Sequence, residues 1–195
     1  MQVIQSFETR HKNPSAGALF AWAIWAVDSL HYLDDIDRAY NTSQAVIGAH
    51  RPDVVDVAHA RWATATCITA LDLCAAGIGR SFCAHVKPRE LDLASFDSCQ
   101  LSKRKLDLRA LLPPLVLQWV DSVCADVQYK EIKKARDWLV HSRVSRHFTL
   151  STGGPPQRLK LEIDKRQLEV RHVIEVARDV ATRHVVAFVN VLPRV

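Results

Sequence analysis

Six glycines and eight prolines in 195 residues are too few for a collagen-like or low-complexity chain. A hydrophobic content of 48% is too high for a disordered one. No apolar run approaches the roughly 20 residues that a bilayer span needs; the longest, Ala18–Val27, has ten. The opening MQVIQSFETRHK lacks the basic-then-apolar order of a secretory signal. The expectation is a soluble, cytoplasmic protein with no membrane partner. Cysteine is present but unpatterned: the five residues are odd in number and include no C-x-x-C pair. A disulfide framework and a zinc ribbon are therefore disfavoured. His85 lies two residues after Cys83, but no second ligand pair follows at metal spacing. Also missing are G-x-S-x-G, the P-loop, H-E-x-x-H and G-x-G-x-x-G. No metal or cofactor is implied.

What is present is an uneven charge. Lys and Arg number 26 against 21 Asp and Glu, a net +5. Residues 1–100 hold 8 basic and 11 acidic side chains, a net −3, whereas residues 101–195 hold 18 and 10, a net +8. Either the second half faces an anionic partner, or its charge is ordinary solvated surface.

The length suits one domain, residues 1–195, with a core that needs no staples. The pattern is helical almost throughout. Ser15 can cap a helix after Pro14, and Leu19, Trp22, Ala23, Ala26, Leu30 and Leu33 recur at three and four. Asp34, Asp35 and Asp37 read as the solvated end of that helix, and Asn41 to Pro52 as a loop. A second helix starts at Pro52 and runs to about Gly77–Gly79. Cys67 and Cys74, seven apart on it, share a core-facing side. From Arg80 to Lys105 the period is lost, which predicts a long connection. Leu108 to Leu112 reads as a turn of helix, Leu115 to about Cys124 as a third helix, and Val127 to about His147 as a fourth. A hairpin is expected from Phe148–Ser151, a turn at 152–156 and a strand over Arg158–Ile163. A long helix from about Gln167 to Leu192 closes the chain. The fold class is all-α: an up-and-down bundle of four to five helices with a small β-hairpin before the last.

The fourth helix carries the constellation suited to chemistry. It places Arg136 and His141 with four residues between them, Asp137 directly after the arginine, and cations at Lys133, Lys134, Arg143 and Arg146. Arginine offers a permanently charged planar fork that fits a phosphate. Histidine can take a proton from a hydroxyl near neutral pH and return one. The hydroxyl adjacent to a phosphate in RNA is the 2′-OH.

Arg136, Asp137 and His141, near the end of a helix in an all-α chain, resemble the R-x4-6-H signature of the HEPN superfamily. There the arginine and histidine stand four to six residues apart, and Asn, Asp or His commonly follows the arginine. The resemblance covers about residues 15–192 in helix order but only 130–147 in residue detail. It implies a metal-independent endoribonuclease of defence or toxin–antitoxin type, acting as a homodimer whose two motifs face each other across a basic cleft. His141 would be the general base and Arg136 would stabilise the phosphorane charge. Asp137 would orient one of them, and Lys133, Lys134, Arg143 and Arg146 would hold the RNA backbone. HEPN toxins with nucleotidyltransferase antitoxins often carry a tyrosine two residues after the histidine. Arg143 stands there, which weakens that antitoxin pairing.

Other readings stay open. Arg136 can pair with Glu131 on an exposed face, and His141 can sit at the helix C-terminus, where a cation is favoured by about 0.3–1 kcal/mol. Trp138 and Val140 are expected to face the core or a partner subunit, and His147, His172 and His184 to be structural. A non-catalytic helical RNA-binding or protein-interaction module keeps the same basic face. A metal-dependent helical enzyme would use Asp34, Asp35 and Asp37.

Overall fold

A computed structural model describes residues 1–47, 52–83, 92–96, 108–141, 160–163 and 166–195. Among these the chain is an all-α bundle: α1 (Gln2–His11), α2 (Pro14–Ile47), α3 (Pro52–Phe82), α4 (Pro114–Ala125), α5 (Val127–His141) and α6 (Val170–Val191). Single 3-10 turns stand at Leu93–Phe96 and Leu108–Leu111. One two-stranded ribbon, β1 (Lys160–Ile163) and β2 (Arg166–Glu169), precedes α6.

Local chemistry sets the helix starts. Pro14 and Pro114 occupy first-turn positions, where a missing N–H costs no hydrogen bond. Asn13, rather than Ser15, caps α2: its Oδ1 accepts the Ala16 N–H at 3.2 Å, and the Ser15 hydroxyl donates to the same oxygen. The Asn13 amide also donates to the Arg80 carbonyl at 2.9 Å, pinning the start of α2 to the end of α3. Lys12, at φ 50°, ends α1 in the left-handed conformation and turns the chain into α2.

The bundle forms around α3. Phe20 near the start of α2 meets Gly77 near the end of α3, and Asp37 meets His59, so these two helices run antiparallel. Ala60, Ala63, Cys67, Ala70, Cys74 and Ala75 are fully buried on α3. Small side chains there let α2 and α6 approach closely. Phe20, Phe188 and Trp119 then fill the layer between α2, α6 and α4, with ring centroids 4.9 and 4.8 Å apart. Val55–Phe82 is apolar enough to cross a membrane by length and composition, and 61% of its apolar window is buried inside the bundle. Core burial accounts for that apolarity.

Several expectations are corrected. Among the described residues the bundle has six helices, because Gln2–His11 adds one that buries Ile4 and Phe7. The loop expected from Asn41 begins later, since α2 continues through Ile47. The last helix starts at Val170, because Arg166–Glu169 is a strand. The hairpin is shifted: Lys160–Ile163 pairs forward, Leu161 with Leu168 and Ile163 with Arg166. Its expected first strand, 148–151, and turn, 152–156, lie outside the described residues, as does most of the 80–105 connection.

The largest correction concerns the acidic cluster. Only Asp35 is exposed; Asp34 and Asp37 are buried, at 3% and 0% exposure. Arg171 and Arg178 of α6 reach Asp34, and Arg171 also donates to Asp37 at 3.2 Å. His59 of α3 lies 3.0 Å from the other Asp37 oxygen. Burial by itself would raise the Asp34 pKa. Hydrogen bonds from Arg171 and Arg38 and the charge of Arg178 outweigh it and hold the carboxyl below its ordinary value. The cluster is an internal ion-pair network joining α2, α3 and α6.

Candidate functional site

Helix α5 carries the motif, and Asp126 starts it. One Asp126 oxygen accepts the Gln128 N–H at 2.8 Å, satisfying a first-turn donor. The other meets His184 at 2.7 Å and Arg183 at 2.6 Å on α6. Burial opposes ionisation there too, but His184, the Gln128 N–H and Arg183 together lower the Asp126 pKa. His184 is therefore a buried partner of the cap. His172 is exposed, and His147 lies outside the described residues.

From that cap the sequence dictates which side faces inward. Tyr129, Ile132, Ala135 and Leu139 recur at three and four and are buried. Arg136 falls on the border of this stripe, toward α3. Its Nη1 donates to Asp137 Oδ1 at 2.8 Å; the two side chains remain 34% and 49% exposed. The arginine thus takes the adjacent aspartate rather than Glu131. Lys130 and Lys134 are exposed on the outer side, and Lys133 is half-buried. Trp138 packs partly against the core, while Val140 stands 56% exposed.

At the far end, Arg61 of α3 donates from Nε to the Leu139 carbonyl at 2.9 Å. That satisfies a last-turn acceptor that the helix itself leaves open. His141 is the final residue of α5. Its side chain, together with Arg143 and Arg146, lies outside the described residues. The fourth helix, expected to run to about His147, is described to His141. On an ideal helix, positions 136 and 141 project about 140° apart at roughly 100° per residue. Backbone placement on α5 alone does not converge them on one atom.

Two neighbours escaped the motif-level reading. Asp72 of α3 faces Arg136 and Lys133. Burial, with the charge of Asp92, pushes its carboxyl up despite the Leu93 N–H, 3.1 Å away, and those two cations. Arg61 anchors the α5 terminus. Both are isolated charges in a largely apolar helix, the one sequence signal that could have marked them. A recess of about 60 Å³ on the Asp72 side is lined by Leu93, Ala94, Cys124, Tyr129, Lys130 and Lys133. A wider hollow of about 580 Å³ runs along Gln2, Gln5, Ser6, Thr9 and Arg10 of α1, away from the motif. It is an open trough along one helix with a single charged side chain, so it has little catalytic capacity.

No group of three His, Cys, Asp or Glu side chains among the described residues is arranged to hold a metal ion. In the acidic cluster, Asp34 and Asp37 already face guanidinium groups, which disfavours a cation there. Cys67 and Cys74 are fully buried, and burial pushes the Cys67 thiol up to about 12, so neither suits nucleophilic work. No family model, curated protein or solved structure matches the chain.

Proposed function

We propose that this protein is a metal-independent endoribonuclease of defence or toxin–antitoxin type, working at a cleft completed by a second subunit. His141 takes the proton from a ribose 2′-OH, and the 2′-oxygen bonds to the adjacent phosphorus. The bond from phosphorus to the 5′-oxygen breaks, and that oxygen leaves with a proton returned by the histidine. The products are a 2′,3′-cyclic phosphate and a 5′-hydroxyl. Arg136 stabilises the negative charge of the phosphorane, as a preorganised cation does most effectively where water is partly excluded.

The observation that supports this reading best is the Arg136–Asp137 pair. The guanidinium is held at 2.8 Å by its neighbour yet stays open to solvent on one side, on a helix whose outer side is cationic and whose last residue is His141. Lys133, Lys134, Arg143 and Arg146 hold the RNA backbone in this scheme. Purified protein cleaves RNA in the presence of chelator, and Arg136→Ala and His141→Ala each abolish cleavage. Unchanged cutting by both variants overturns the proposal.

A non-catalytic RNA-binding or protein-interaction module is the second reading, favoured by the exposed aromatic side chains of α2 and α3. It gives RNA binding that weakens steeply with salt and no cleavage.

A further inference from the structure

The guanidinium of Arg61 is only partly used by the fold. Arg38, Arg109, Arg136, Arg171, Arg178 and Arg183 each meet a carboxylate. Arg61 meets none among the described residues. Three and four places from it on α3 stand Val57, Ala58, Thr64 and Ala65, so its own helix offers no acid either. Its Nε donates to the Leu139 carbonyl at 2.9 Å. Its two Nη groups donate to no described residue, and the residue is exposed.

Position gives that open fork a use. Leu139 lies three residues after Arg136 and two before His141. A helix ends in about half a negative charge, so a phosphate brought beside His141 meets the wrong sign. Arg61 covers one of the carbonyls responsible and sets a full positive charge there. The carboxylates nearby act elsewhere. Asp137 accepts from Arg136 at 2.8 Å. Asp72, with Asp92 next to it, faces Lys133 and Arg136. It stands eleven residues further along α3 than Arg61, about 16 Å of helix.

Arg136 and Arg61 also hold different heights on α5. The Leu139 carbonyl belongs to a residue about 4.5 Å of rise beyond Arg136. Helical side chains lean toward the N-terminus, which carries the Arg136 guanidinium the other way. The two cations therefore stand at opposite ends of the last turn. We propose that Arg61 binds RNA, gripping through Nη1 and Nη2 the phosphate next to the one that Arg136 serves. The bond at Nε holds the fork in place before RNA arrives, so less side-chain freedom is lost on binding. Arg61 takes this role within the ribonuclease reading, on which the choice of RNA as ligand rests, and supplies a contact from outside the motif.

The test measures binding of the full chain to a fluorescein-labelled single-stranded 2′-O-methyl RNA, which lacks the attacking hydroxyl and stays intact. Glutamine isolates the fork, because its Nε2 takes the chain position of arginine Nε and still donates to Leu139. Arg61→Gln weakens binding about tenfold in low salt. It also lowers the slope of log Kd against log salt by about 0.7, one single-strand phosphate contact, while the circular-dichroism melting curve is kept. Arg61→Lys returns the slope, since the charge is back. Wild-type affinity and slope in Arg61→Gln overturn the proposal. Equal slopes in the glutamine and lysine variants assign the effect to the helix anchor and overturn it too, as does a wild type that binds no RNA. Cleavage fails separately: a wild type that shows this Arg61-dependent binding yet cuts no unmodified RNA overturns the ribonuclease reading and upholds the phosphate contact.

Discussion

Replacing Arg171 by methionine isolates the energetics of the buried network. Methionine keeps an apolar stem of similar reach and removes the charge. The guanidinium is the shared partner of Asp34 and Asp37, whose side chains are 5% and 0% exposed. Its loss leaves Asp37 without a guanidinium hydrogen bond from α6 but still with His59, and Asp34 with Arg178 and Arg38. Removing one member of a buried ion pair costs about 3–5 kcal/mol. Arg171 is itself 17% exposed and Asp34 keeps two other cations, so the low end, about 3 kcal/mol, applies. For a chain of this size that corresponds to a melting temperature lower by about 6–12 °C. The pH dependence follows from the direction of the Asp34 shift. Its folded pKa is depressed, so the network's contribution is present above the unfolded value of about 3.9 and is lost as pH falls through the folded one. The difference between Arg171→Met and wild type should therefore be full at neutral pH and shrink in acid. Urea unfolding followed by far-ultraviolet circular dichroism at both conditions measures it. A neutral-pH loss below about 1 kcal/mol, the worth of an exposed pair, would refute the reasoning, as would a loss that does not diminish in acid.

Further expectations concern other parts of the bundle. Asp126→Ala removes the α5 cap and the partner of His184 and Arg183, and should cost about 1–2 kcal/mol in denaturant unfolding. Gly77→Ala sets a Cβ into the Phe20 ring, and chemical denaturation should show a loss of about 1–3 kcal/mol. Cys67 and Cys74 should resist Ellman's reagent in the native protein and react only on unfolding, while half-buried Cys124 is the more accessible. Asp72→Asn removes a carboxylate facing Arg136, so it should alter the pH profile of RNA cleavage while the protein stays folded.

The helices that bury a continuous stripe were legible in the sequence. Val170, Val173, Ile174, Ala177, Val180 and Ala181 mark α6 because one side of it packs along its whole length. The first helix was missed because Gln2–His11 buries only Ile4 and Phe7, too few for a period. The strand Arg166–Glu169 was absorbed into α6 because four residues abutting a helix carry no periodicity of their own. The aspartates of α2 looked solvated because their partners, Arg171 and Arg178, lie over a hundred residues away. The signal lay in spacing: aspartates three apart and arginines seven apart each share a helix side, and only packing α2 on α6 makes them meet. Arg136 and Asp137 were legible because their relation is local, whereas Asp72 and Arg61 became neighbours of the site only through the fold.

The most direct measurement is cleavage of a short single-stranded RNA by the purified chain in excess EDTA, with the product ends identified by mass. The account predicts cyclic-phosphate ends and complete loss of cutting in folded Arg136→Ala and His141→Ala. Cutting that persists in both variants, or that disappears with the chelator in wild type, contradicts it.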